Sequence, residues 1–213
     1  MNKMKKQSGF TLIELAIVLV IIGLLLGGVL KGQELINSAK VKNMATDFKN
    51  VQVYIYGYQD KYKALPGDDG QVANHLTGAT LATTGGTVSN GVIEGKWDST
   101  TNTDESVLFW QHVRLANLAS GPTTVDANFY PKNADGGRFG VQSMTGFTSA
   151  TNMSGTYVAC SRGVLGKFAK QLDVALDDGD GSKGSVRVVL QSSPSDGVTA
   201  ALDSTVYDVC MSF

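Results

Sequence analysis

Proline, cysteine and histidine are scarce in this chain, with four, two and two among 213 residues. So few cysteines exclude a disulfide-dense scaffold, and so few prolines exclude a collagenous or Pro-rich polymer. Charge is thin as well, at 17% against 42% apolar residues, which excludes a charge-swollen disordered chain. What the C-terminal part lacks most is positive charge. Residues 64–213 hold nine Lys and Arg against fifteen Asp and Glu, a net charge of −6. Nucleic-acid binding needs a basic face that displaces counterions from phosphates, so no nucleic-acid contact is indicated. Signs of catalysis are missing too. His75 and His112 stand apart, no Ser lies in a G-x-S-x-G turn, and the glycines form neither a phosphate-cradling loop nor a dinucleotide fingerprint. Trp97 and Trp110 read as core residues. The totals suit one globular domain with an addition.

The addition is at the N-terminus. Phe10 to Leu30 is an apolar run of 21 residues whose only ionisable side chain is Glu14. As a helix it covers about 30 Å, the hydrocarbon thickness of a bilayer. Residues 1–9 carry Lys3, Lys5 and Lys6 and no acid, so the positive-inside rule puts the N-terminus in the cytoplasm and the rest of the chain outside. An ordinary secretory signal has a shorter apolar core followed by an A-x-A cleavage site. Here the run is longer and no such site follows Leu30.

A junction lies instead before the apolar run, at Gly9-Phe10-Thr11-Leu12-Ile13-Glu14. This hexapeptide, on a short Lys-bearing leader, resembles the processing site of type IV prepilins and type II secretion pseudopilins. The resemblance implies that a membrane-embedded prepilin peptidase cuts after Gly9 and methylates the new amino terminus at Phe10. Loss of the leader takes the formal net charge from −1 to −4. A glycine before the cut lets extended backbone enter a protease site without a side chain in the way. A carboxylate within a spanning helix is costly unless it reaches the interface or finds a partner. The bland account of Glu14 is that it snorkels to the headgroups. The family implies a partner: the charged amino terminus of the neighbouring subunit, in a filament whose water-poor core contains both groups. It further implies inner-membrane lipid and an inner-membrane assembly platform as partners. The precursor then sits in the inner membrane with its head in the periplasm, and the mature form in an extracellular pilus or a periplasmic pseudopilus.

Beyond the span the pattern becomes amphipathic without a turn signal. Val41, Met44, Phe48, Val51, Ile55, Tyr58 and Tyr62 recur at alternating spacings of three and four, one apolar stripe of a helix. Leu65-Pro66-Gly67-Asp68-Asp69-Gly70 stops it. One helix is thus expected from residue 10 to about 62. Gly23, Gly27, Gly28 and Gly32 weaken it near the membrane exit. Close helix packing accounts for such residues; relatives suggest local melting during assembly, although many major pilins carry a proline where this chain has Lys31.

Four divisions follow: a leader over 1–9, a transmembrane and filament-core helix over 10–30, its amphipathic continuation over 31–63, and a head over 64–213. In the head a short helix is expected over Val107–Leu118, capped from Asp104-Glu105-Ser106, and another from Val164 to Leu176. β-like segments are Arg138–Met144, Thr156–Cys160, Ser185–Gln191 and Thr205–Ser212. The fold class is α+β: a long N-terminal helix packed on a C-terminal antiparallel sheet, pilin-like.

Cys160 and Cys210 both fall outside the membrane, where an oxidising compartment permits a disulfide closing a loop of about 50 residues. Two buried free thiols are the alternative. A C-terminal disulfide also resembles that of many pilins, whereas a number of pseudopilins lack it. Asp178, Asp180 and Ser182 set oxygen atoms at alternate positions, as a calcium loop does. The EF-hand pattern fails, because its sixth and twelfth positions are Lys183 and Val189; a solvated turn is the plainer account, as for Asp68 and Asp69. No cofactor is required by these residues, with calcium as the one candidate. Two classes of function stand: a structural filament subunit, either pilus or pseudopilus, and a tethered adhesion module whose loops, such as Thr77–Asn90 or Asp177–Ser182, bind a surface, a glycan or calcium.

Overall fold

The structure is a computed structural model that describes residues 10–126, 128–191 and 197–213. The leader over 1–9, with Gly9, lies outside the described residues. Two compact units divide the chain, the first ending at Ala39 and the second running from Lys40 to Phe213. Helix α1, Leu12–Tyr62, belongs to both. Its first part is apolar on every side, with Ile13, Leu19, Leu24 and Leu30 all exposed, and its length and composition are those of a membrane-crossing helix. Lys31 is the first charged residue after Glu14 and pairs with Glu34 at 2.6 Å. The helix is unbroken through Gly23, Gly27, Gly28 and Gly32, where an added Cβ meets nothing within 4 Å. Nothing in the single chain therefore requires glycine at those four positions.

In the second unit the stripe is found where the spacing puts it: Val41, Met44, Phe48, Val51, Ile55 and Tyr58 are buried, while Tyr62 is half-buried. Phe48 meets Phe139 of the sheet edge to face, with ring centroids 5.1 Å apart. The helix ends on Lys63, which takes the left-handed conformation (φ 57°) that closes many helices. Gly67 follows at φ 92°, and a side chain there would run into the Glu105 carbonyl oxygen. A single turn, α2 (Val72–His75), comes next; the sequence pattern gave no sign of it.

Helix α3 is Glu105–Leu115, two residues earlier at its start than the apolar pattern suggested. Asp104 holds the N-cap position in extended conformation, yet its side chain makes no capping bond. Its carboxylate instead accepts the hydroxyls of Thr84 (2.6 Å) and Ser99 (2.5 Å), tying down two loops. The strands are β1 (Phe139–Ser143), β2 (Tyr157–Leu165), β3 (Val186–Leu190) and β4 (Val206–Ser212). Helix α4, Gly166–Leu176, joins β2 to β3 and starts later than Val164, because β2 carries on past a bulge between Ser161 and Val164. All pairings are antiparallel, in the order β1-β2-β4-β3. The last strand therefore lies inside the sheet.

Alternation gives the sheet two apolar faces. Phe139, Val141, Tyr157, Ala159, Val209 and Met211 share one core with the α1 stripe, α3 and Phe168, Ala169 and Leu172 of α4. Val158, Cys160 and Cys210 face the other way and pack with Trp97. Cys160 and Cys210 are direct partners across β2 and β4 and form a disulfide, with Cα atoms 4.1 Å apart. The bond pins the C-terminal strand into the middle of the sheet.

Candidate functional site

At the start of α1 the residues Thr11-Leu12-Ile13-Glu14 form a reciprocal cap. The Thr11 hydroxyl oxygen accepts the Glu14 N–H at 3.3 Å. In return the Glu14 carboxylate accepts the Thr11 N–H at 2.8 Å and the Thr11 hydroxyl at 2.6 Å. This is a capping box, in which each residue satisfies a backbone donor that the first helical turn leaves open. Its signal, Thr followed three positions later by Glu, stands in the sequence. Both bonds to the carboxylate use Oε2. Among the described residues, no hydrogen bond reaches the other carboxylate oxygen, and Phe10, four residues earlier, is exposed. The cap holds Glu14 against the first turn of its own helix.

In the head, the three residues of the calcium-loop pattern are largely occupied with one another. Asp178 Oδ1 accepts the Asp180 N–H at 2.9 Å. Asp180 Oδ1 accepts the Ser182 hydroxyl at 2.6 Å and its N–H at 3.2 Å, while Lys183 lies 3.0 Å from Oδ2. The Ser182 hydroxyl, then Lys183, hold the Asp180 carboxyl down to about 2. A different set converges beside it: Asp173, Asp177 and Asp178 each offer a carboxylate oxygen, all within 4.8 Å of one another. Asp173 is buried in the inner face of α4, and burial followed by the charges of Asp178 and Asp177 pushes its carboxyl up to about 6. Asp177 accepts the N–H groups of Ser185 and Val186 and so fastens the loop to the start of β3.

A second polar group sits where α1 ends against α3. His112 is fully buried; its Nδ1 accepts the Gly67 N–H and its Nε2 donates to the Thr80 carbonyl, both at 2.9 Å. Burial lowers its pKa, and with both ring nitrogens engaged it serves as a neutral strut. Asp69 takes the Tyr58 hydroxyl at 2.8 Å and lies 2.6 Å from His75 Nδ1. Asp68 accepts the N–H groups of Asn90 and Gly91. Both aspartates are thus loop anchors.

Glu105 is the costly member. It is fully buried, its Oε2 accepts the Glu94 N–H at 2.7 Å, and its Oε1 has no hydrogen-bond partner among the described residues. Burial, aided by the charges of Asp68, Glu94 and Asp104, raises its pKa from 4.5 to about 7. The folded state therefore keeps a proton that the unfolded chain has lost. Stability from this group is full below about pH 4.5, falls as pH rises toward 7 and is level above it, by on the order of 3 kcal/mol. Glu105→Gln is expected to remove that fall, as chemical denaturation at a series of pH values reads directly.

Compared with known families, residues 4–30 match the model described as the prokaryotic N-terminal methylation motif. Searches of curated proteins and of solved structures return no match. The matched motif supports a type IV pilin or pseudopilin-type prepilin, and the α+β arrangement of a long apolar N-terminal helix with a four-stranded antiparallel sheet is pilin-like. It points to a structural subunit of pilus-like filaments, and motif and apolar helix together fit anchoring in the inner membrane.

Proposed function

We propose that the chain is the precursor of a type IV pilus subunit, stored in the inner membrane with its head in the periplasm. Prepilin peptidase cuts it after Gly9 and methylates Phe10. The freed amino terminus of one protomer then pairs with Glu14 of its neighbour as the apolar helices leave the lipid and bundle, driven by an assembly platform in the inner membrane. The observation that carries this reading is the Gly9-Phe10-x-x-x-Glu14 junction ahead of a helix whose first part is exposed and apolar throughout. An apolar surface of that extent in one chain needs lipid or further copies of itself to cover it. The role is structural, and buried His112 and partly exposed His75 serve the fold.

The disulfide favours a pilus over a secretion pseudopilus, since a C-terminal disulfide resembles that of many pilins and a number of pseudopilins lack it. Electron microscopy of sheared surface filaments with antibody against the head is the test. Label along filaments released from the surface is expected. Label confined to short periplasmic fibres assigns the chain to a secretion pseudopilus instead.

A further inference from the structure

We propose that the second unit binds a small organic carboxylate with a flat apolar body, in a cavity where one edge of the Arg114 guanidinium takes the carboxylate. The cavity, of about 290 Å³, lies where α1, α3 and β1 meet. Asp47 and Tyr54 line it from α1, Trp110 and Arg114 from α3, Phe139 from β1 and Lys132 from the connection before β1. That volume is at the small end of ligand sites and, at roughly 30 Å³ for a water in the liquid, holds about ten non-hydrogen atoms. Tyr54, Trp110 and Phe139 form one aromatic wall, with successive ring centroids 6.4 and 6.0 Å apart. A flat apolar body packs well on such a wall.

Arg114 supplies the independent sign. It is 8% exposed, and both of its hydrogen bonds among the described residues use Nη1, which donates to the Pro122 carbonyl at 2.8 Å and the Phe129 carbonyl at 2.7 Å. Its Nε is buried with no hydrogen-bond partner. A buried donor left open is rare in a stable fold and points to an absent acceptor. Nε and Nη2 together present two parallel N–H groups, the fork that a carboxylate accepts with both oxygens. At Gly121 (φ 136°) an added Cβ would stand 2.7 Å from Nε and 3.2 Å from Nη2, so a side chain there would crowd that edge. The two carbonyls, and the Phe129 ring 4.8 Å from the guanidinium carbon, hold the fork in place before a ligand arrives. Lys132 adds a second positive charge. Asp47 is the acid of the lining, and burial pushes its carboxyl up to about 6, so below that pH it opposes an incoming anion little.

The site involves neither Glu14 nor the apolar first part of α1, so it stands apart from filament assembly. The test is titration calorimetry of the full chain in detergent with sodium phenylacetate, using phenylacetamide and sodium acetate as controls and empty micelles as the blank. One phenylacetate per chain is expected, with a Kd of about 1 mM or tighter. Both controls are expected to bind at least about tenfold more weakly, the amide because it lacks the charge and acetate because it lacks the ring. A Glu or Asp side chain of a second copy would offer the same carboxylate without a ring. Acetate binding as tightly as phenylacetate therefore overturns the small-molecule site in favour of such a contact. Ser120→Trp, at an exposed position on the cavity rim, is expected to weaken phenylacetate more than about tenfold while the folded spectrum stays the same. Arg114→Gln should lose binding as well, but it also frees the loop that Nη1 braces, so Ser120→Trp is the variant that locates the site. No saturable phenylacetate binding up to about 10 mM, unchanged affinity in Ser120→Trp, or phenylacetamide binding as tightly as phenylacetate overturns the proposal.

Discussion

Replacing Glu14 by valine is expected to leave the chain in the membrane, still cleaved, and to cut its entry into filaments by on the order of a hundredfold. Valine suits the lipid better than a carboxylate does, so membrane retention should not suffer. What is lost is the one anionic group between Phe10 and Leu30. A neighbour's charged amino terminus entering the same water-poor core would then have no counter-charge. Glu14→Gln separates charge from hydrogen bonding. Glutamine at this position can still complete the cap with Thr11, so helix α1 starts as before while the charge is gone. Filament yield in Glu14→Gln should therefore follow Glu14→Val rather than the unmutated chain. Quantitative immunoblotting of sheared and membrane fractions reads both variants; normal filament yield from the glutamine variant would refute charge pairing while leaving the cap intact.

The second large effect belongs to the disulfide. Cys160→Ala with Cys210→Ala is expected to cost about 4 kcal/mol, because the bond closes a loop with a sequence separation of 50 and the open loop regains that entropy on unfolding. Register is set by the backbone ladder of β2 with β4 and by the burial of Val209 and Met211 on the α1 side, so the sheet should keep its order. The variant thus melts lower, by about 10 °C, without changing its folded spectrum. Dithiothreitol on the unmutated chain should reproduce the shift, and adding it to the variant should do nothing further.

Much of this was legible in the residues themselves. The α1 stripe from Val41 to Tyr58 is legible because one face of a straight helix needs only a regular spacing, and each strand announced itself through β-branched and aromatic residues between Gly, Ser and Asp. Strand order was not. That β4 inserts between β2 and β3 depends on long-range pairing, which no local pattern encodes. The one-turn helix at Val72–His75 is too short for a period to show.

At the candidate sites the structure adds neighbours that a local reading leaves aside. Glu14 reads as a lone charge in an apolar run, which draws attention away from Thr11 three residues earlier. Asp178, Asp180 and Ser182 read as a set because alternate positions in a loop resemble a metal turn. The fold turns Asp180 toward Ser182 and Lys183 and brings in Asp173 from α4, a residue that the apolar pattern around Leu172 hides.

The most direct test is the intact mass, with N-terminal sequencing, of the chain recovered from the membrane of cells that make it together with a prepilin peptidase. The account predicts a chain that begins at Phe10, lacks residues 1–9 and carries one methyl group on its amino nitrogen. A chain that keeps Met1 to Gly9, or an unmodified one cut elsewhere, would contradict it, since no charged amino terminus would then exist beside Glu14 for assembly to use.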